Sequence, residues 1–172
     1  VVRRAIDMGP SGLMFPCVDT TQQLDVVRDA IRMPPRGKRR PGGPGNHWLD
    51  NYQYETWRRE VEEHFVVLPQ IESRIGLKNA VEIAGHEIVT ALAVGPYDLA
   101  ADLGCCWNPE AAIFRDAVAQ LRAAAEVANK PFWMIGNADL LVKDGFRFVC
   151  VGEPSYILAG AIRAQVERLK GD

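Results

Sequence analysis

Two acidic side chains stand out by type and position. Gln70-Ile71-Glu72 closes one short apolar run, and Gly95-Pro96-Tyr97-Asp98 closes the next. If both runs are parallel strands, their ends share one rim, and that rim is where α/β folds bind ligands. Residues two apart on a strand point the same way, so Gln70 and Glu72 are expected to face one site. The turn after the second run carries Asp98 to the same rim, one strand over. Two carboxylates with room left for water and substrate make a hard oxygen site. Such a site suits magnesium or manganese, with cobalt a third candidate, better than zinc. Each acid also has an ordinary structural reading: a strand-end Glu often caps the following helix, and an Asp after Gly-Pro is often an N-cap.

The elements that must position these residues alternate along the chain. Apolar runs over 12–18, 66–72, 88–94, 132–135 and 146–151 predict five strands. Helical spacing predicts a helix bearing Leu24, Val27 and Ile31, an amphipathic stretch over 54–64, and helices over 77–84, 109–129 and 156–169. Nearly continuous apolar strands between helices indicate a parallel sheet covered on both faces. Pro16 and Pro69 fall near strand ends, where a proline is tolerable. Two α/β architectures fit: an open doubly wound sheet, or part of a (β/α)₈ barrel. The open sheet commonly has a glycine-rich phosphate turn after its first strand, and here that turn is Cys17-Val18-Asp19-Thr20. Gly42-Gly43-Pro44-Gly45 fits neither the dinucleotide nor the P-loop pattern.

Composition narrows the partners. A formal net charge of -2 offers no general attraction to nucleic acid or to an anionic membrane. No apolar run reaches the ~20 residues of a membrane span. The basic segment Arg36-Gly37-Lys38-Arg39-Arg40 reads first as a solvated loop. None of the four cysteines forms a C-x-x-C pair, Cys17 and Cys150 read as small core residues, and the setting expected is a reduced cytoplasm. Val1-Val2-Arg3-Arg4-Ala5-Ile6-Asp7 looks like the middle of a helix, so the chain is expected to begin inside a domain, with 1–172 a single partial unit. His64 and His86 read as helix-terminal residues, and His47, beside Trp48, is a candidate to face a substrate.

Taken together and in order, several segments resemble the HpcH/HpaI aldolase/citrate lyase family. They are Pro69-Gln70-Ile71-Glu72, Gly95-Pro96-Tyr97-Asp98-Leu99, Gly104 and Asn108-Pro109. Asp7-Met8-Gly9 before Gly12-Leu13-Met14-Phe15-Pro16, the segment Met33-Pro34-Pro35-Arg36-Gly37-Lys38-Arg39, and Phe148-Val149-Cys150-Val151-Gly152 agree with it, as does the interval from Glu72 to Asp98. The resemblance implies the last five units of a (β/α)₈ barrel. It implies a divalent metal held by Glu72 and Asp98, with Gln70 and the backbone of Pro96 and Tyr97 holding a 2-oxo acid. The activity implied is cleavage of a 2-oxo-4-hydroxy acid to pyruvate, or a close relative, plus an aldehyde. No Schiff-base lysine is required, and the strand ends offer none. The family's His base and its Arg belong to units that are not in this chain. Arg40-Pro41 and the segment around His47 depart from the usual loop, which leaves the aldehyde partner open. Trp107 is a candidate wall for the pocket. Two alternatives stand beside this reading. One is an acyl-CoA lyase of the citrate lyase type, with Arg36, Lys38, Arg39 and Arg40 meeting the CoA phosphates. The other is a truncated barrel without turnover. Family members assemble as trimers or hexamers through the last helix, and Tyr156, Ile157, Leu158, Ile162, Val166 and Leu169 give this chain an apolar stripe there. That stripe equally fits packing within one chain.

Overall fold

The computed structural model describes residues 1–40, 53–106, 108 and 110–170. Its five strands are β1 (Gly12–Phe15), β2 (Val66–Ile71), β3 (Leu92–Val94), β4 (Phe132–Met134) and β5 (Phe148–Val149). They form one sheet in chain order, and every neighbouring pair is parallel. That order decides between the two architectures. A doubly wound sheet reverses direction at a switch point, whereas a barrel adds each new strand beside the last. This sheet advances without reversal, as an arc of a (β/α)₈ barrel does.

The helices are α1 (Val2–Ile6), α2 (Thr21–Ile31), α3 (Tyr54–Trp57), α4 (Arg74–Lys78), α5 (Ala80–Gly85), α6 (Pro96–Asp102), α7 (Ala112–Val127), α8 (Ala138–Lys143) and α9 (Pro154–Lys170). The core forms where their apolar faces meet the sheet. Leu24, Val27 and Ile31 of α2, Ile83 and Ala84 of α5, and Phe114, Ala117 and Leu121 of α7 are buried, and so is every residue of β3. β2 alternates between buried and half-buried positions, with Val67, Pro69 and Ile71 inside. Pro69 sits where β2 passes from β1 to β3: its register partner is Phe15, and the next residue, Gln70, already pairs with Ala93. A proline without an N–H is accommodated at this handover. Among the described residues no helix is long and apolar enough to cross a membrane.

Several expectations are corrected. The ladders are shorter than the apolar runs. Ile88, Val89 and Ala91 are buried, but they lie before β3 in a turn where Thr90 takes the place of a strand partner: its Oγ1 accepts the Val67 N–H at 3.0 Å and its own N–H donates to the Val67 carbonyl. The stretch over 54–64 is one turn of α3 that widens into a π-turn at Arg58–Glu62. The predicted helix over 77–84 starts earlier and breaks at Asn79, whose Nδ2 donates to the Asp19 carbonyl at 2.8 Å. The last helix begins at Pro154, and no residue of α9 is buried. The stripe of Tyr156, Leu158, Ile162 and Leu169 is exposed against the described residues.

The basic segment is solvated only in part: Lys38 and Arg40 are exposed, whereas Arg39 is buried. Arg36 pairs with Glu62, Lys38 with Asp29, and Arg39 with Asp7 at 2.9 Å, with Arg39 only 4% exposed. The Glu62 carboxylate is itself fully enclosed and also accepts the Met33 N–H at 2.6 Å. Burying that charge without its partners would cost several kcal/mol, which is why the segment folds back onto the helices. Cys17 is exposed and Cys150 half-buried, so neither is a core residue. His64 is exposed in the turn after the π-turn, and His86 caps α5 with its Nε2 3.5 Å from Asp25. His47, Trp48 and Trp107 lie outside the described residues.

Candidate functional site

The site is built from three consecutive strand ends. β1 leaves the sheet at Phe15 and turns sharply through Cys17, whose φ of 54° is left-handed. β2 ends at Ile71, and Glu72 follows at once. β3 ends at Val94, and Gly95 and Pro96 start α6, whose first turn carries Asp98. The Gly95 N–H donates to the Ile71 carbonyl at 3.1 Å, which ties the second and third ends together.

Glu72 is half-buried and held on both sides. Its Oε2 accepts the Cys17 N–H at 2.7 Å. Its Oε1 lies against Gly95 so closely that a Cβ there would stand 2.3 Å from it. Gly95 has an ordinary φ of -94°, so the position needs glycine for room and not for backbone freedom. Asp98 is exposed on α6. Both acids act on one reporter: hydrogen bonding and charge from Glu72, then burial, Asp19 and Asp98, hold the Cys17 thiol above the usual thiol range. Glu72 follows β2 and Asp98 lies in the first turn after β3, so the two carboxylates belong to adjacent strand ends. Among the described residues no three His, Cys, Asp or Glu side chains converge on a common point.

Gln70 lies in β2 two residues before Glu72, half-buried, with its carbonyl accepting the Val18 N–H at 3.2 Å. Pro96 and Tyr97 open α6, and Tyr97 is exposed. Proline has no N–H, so of these two only Tyr97 has an amide to give. Beside them lies a cavity of about 440 Å³ lined by Pro96, Tyr97, Ala100, Asn108, Phe114 and Met134. Its lining is mainly apolar, with Asn108 as one polar handle.

Sequence reasoning missed the frame that fixes these turns. Arg74 reaches from α4 to the end of α6: its N–H bonds Asp102 Oδ2 at 2.6 Å and its Nε bonds the Asp102 carbonyl at 2.9 Å. Ser73 Oγ caps α4 at Gly76 and donates to Asp19, binding the β1 and β2 turns. Gln23 holds Cys17, Asp19 and Thr20. Thr20 and Gln23 stand in the residue types and spacing of a capping box at the start of α2.

The donor set suits a hard divalent cation. It consists of carboxylates from two adjacent strand ends, one of them, Glu72, pre-oriented by the Cys17 N–H and packed over a glycine that leaves it room.

The model for "HpcH/HpaI aldolase/citrate lyase" matches residues 1–156. A hydroxypyruvate/pyruvate aldolase of Chromohalobacter salexigens is 31% identical over 99% of this chain and 69% of its own length. A 2-keto-3-deoxy-L-rhamnonate aldolase of Escherichia coli is 29% identical over 99% of this chain and 65% of its own. The chain thus spans about two thirds of the curated relatives it matches. An HpcH/HpaI aldolase structure from Desulfitobacterium hafniense superposes with a TM-score of 0.84 at 21% identity, over 99% of this chain and 68% of that one, and so supports the fold.

Proposed function

The chain belongs to the HpcH/HpaI aldolase/citrate lyase family, and from that premise we propose that its parent protein is a metal-dependent carbon–carbon lyase. It cleaves a 2-oxo-4-hydroxy acid to pyruvate, or a close relative, and an aldehyde. The observation that supports the reading is Glu72, fixed by the Cys17 N–H and the Gly95 surface at one strand end, with Asp98 in the first turn after the next strand.

Glu72 and Asp98 would hold the cation, with magnesium or manganese preferred over cobalt for an all-carboxylate set. When bound, a divalent cation supplies the Lewis acidity that makes an enolate accessible from a 2-oxo acid. The residues of this chain do the rest of the positioning. Gln70 is assigned the hydrogen bond to the 2-oxo acid, and the backbone of Pro96 and Tyr97 at the start of α6 the contact with its carboxylate, as the family resemblance implies. The mainly apolar cavity beside Pro96 and Tyr97 is the space proposed for the aldehyde end of the substrate. The partner is a small molecule, with neither nucleic acid nor membrane involved, and the assembly is a homo-oligomer, trimer or hexamer, joined through α9. Four free cysteines suit a cytoplasmic setting.

The acyl-CoA alternative is weaker here. Of its four cations, Arg36 and Arg39 are drawn into pairs with carboxylates of the same chain and the exposed Lys38 is paired with Asp29, which leaves mainly the exposed Arg40 to meet a CoA phosphate. Exchange of the pyruvate C3 protons in D₂O, followed by NMR on the longest available protein, tests the proposal. Exchange that needs a divalent ion and stops with chelator is expected. No exchange with magnesium, manganese or cobalt would defeat it.

A further inference from the structure

The capping box of α2 does more than its local geometry requires. A cap needs Gln23 only to reach back to the Thr20 N–H, and Gln23 Oε1 does so at 3.0 Å. The same oxygen also accepts the Asp19 N–H at 2.7 Å. The other end of the amide, Nε2, donates to the Cys17 carbonyl at 3.1 Å. Both ends of the side chain are thus used, and the two acceptor contacts and one donor contact fix which way the amide points.

The Cys17 link leads directly to the carboxylate. Cys17 is a non-glycine residue with a φ of 54°, a conformation that its surroundings must hold in place. Its carbonyl takes the Gln23 bond, and its N–H makes the 2.7 Å bond to Glu72 Oε2. The turn is also braced from the other side, where Asn79 Nδ2 donates to the Asp19 carbonyl at 2.8 Å and Ser73 donates to the Asp19 carboxylate. The β1 turn is therefore a bracket between α2 and Glu72, and Gln23 is the side chain that clamps it from the α2 side.

We infer that Gln23 is a positioning residue for the metal centre: by holding the left-handed Cys17 turn it aims the Cys17 N–H at Glu72 Oε2 and keeps Oε1 turned toward Gly95 and the rim. This rests on the reading of Glu72 as a metal ligand. Residues that orient a ligand from behind commonly alter metal affinity by about 10–100-fold when removed.

The test is Mn²⁺ binding to the whole protein, measured by EPR of free Mn²⁺ and by calorimetry, with thermal unfolding of each variant alongside. Gln23→Met keeps the side-chain volume and removes all three hydrogen bonds. Gln23→Glu keeps the acceptor oxygens, and hence the cap, but loses the donor to Cys17. Thr20→Ala removes the other half of the capping box and leaves Gln23 in place. Both Gln23 variants are expected to weaken Mn²⁺ binding about tenfold, whereas Thr20→Ala lowers the unfolding temperature and leaves Mn²⁺ affinity unchanged. Wild-type affinity in Gln23→Met overturns the inference, and so does an equal loss of affinity in Thr20→Ala, which would reduce Gln23 to a helix cap. Glu72→Gln separates the two levels. If it loses Mn²⁺ while Gln23→Met does not, the positioning role alone is wrong. If Glu72→Gln binds like wild type, the ligand reading fails and the inference goes with it.

Discussion

Gly95 is the sharpest point of the site. A single methyl group there would collide with the Glu72 carboxylate, yet the backbone at 95 would accept any L-residue. Gly95→Ala should therefore fold and still bind Mn²⁺ at least about tenfold more weakly, because Glu72 must leave its place between the Cys17 N–H and the rim. Calorimetric titration checks this, and unchanged affinity would mean that Glu72 is not where the cation binds. Glu72, Asp98 and Gln70 were visible in the sequence because side-chain type and strand-end position are both written there. The groups that aim Glu72 were not, since a backbone N–H and a carbonyl have no sequence signature and the left-handed turn occurs at a cysteine. Cys17 was misread as core for a related reason. It continues an apolar run, but the run outlasts the strand by several residues.

The helices around the sheet carry their own charge balance. Lys38 beside Asp29, and Arg32 beside Glu87, hold those two carboxyls below the usual carboxylate range. Both therefore bind fewer protons in the folded chain than in the unfolded one at acid pH. Their stabilisation is complete at neutral pH and disappears as pH falls below about 4. An Asp29→Asn, Glu87→Gln double variant should show a flatter loss of stability between about pH 5 and 3 than wild type, read by urea denaturation at each pH. A wild-type slope in that variant would assign the acid loss to other groups. The core makes a steeper demand. Leu121 on α7 is fully buried, and Leu121→Ala should cost about 2–5 kcal/mol in the same assay. Helix faces of this kind were legible from their spacing. Boundaries were not: burial continues through Ile88–Ala91 without a ladder, and Thr90 supplies by side chain what a strand would supply by backbone.

At the scale of the molecule, the parallel sheet in unbroken chain order identifies the barrel type; alternation left two α/β architectures open, and it was the resemblance of the strand-end segments that implied the barrel. What alternation could not reveal was how α9 would sit. Seventeen residues of helix with no buried position leave Leu158, Ile162 and Val166 on one exposed face. An apolar face of that length on a water-facing helix calls for a covering surface. Leu158→Asp with Ile162→Asp should lower the assembly state seen by light scattering while leaving the far-UV circular dichroism intact. A wild-type protein that is already monomeric would remove the proposed oligomer. The basic segment teaches the opposite lesson. A run of cations that reads as solvated is drawn in only in part, where the fold brings Glu62 to Arg36 and Asp7 to Arg39, while Lys38 stays exposed beside Asp29.

The most direct measurement is a crystal of the longest available protein soaked with Mn²⁺ and oxalate, recorded for anomalous scattering. A manganese peak coordinated by the carboxylates of Glu72 and Asp98, with oxalate completing its shell, is the expected result. A peak held by other side chains, or full Mn²⁺ occupancy with either carboxylate turned away from it, would contradict the site at its root.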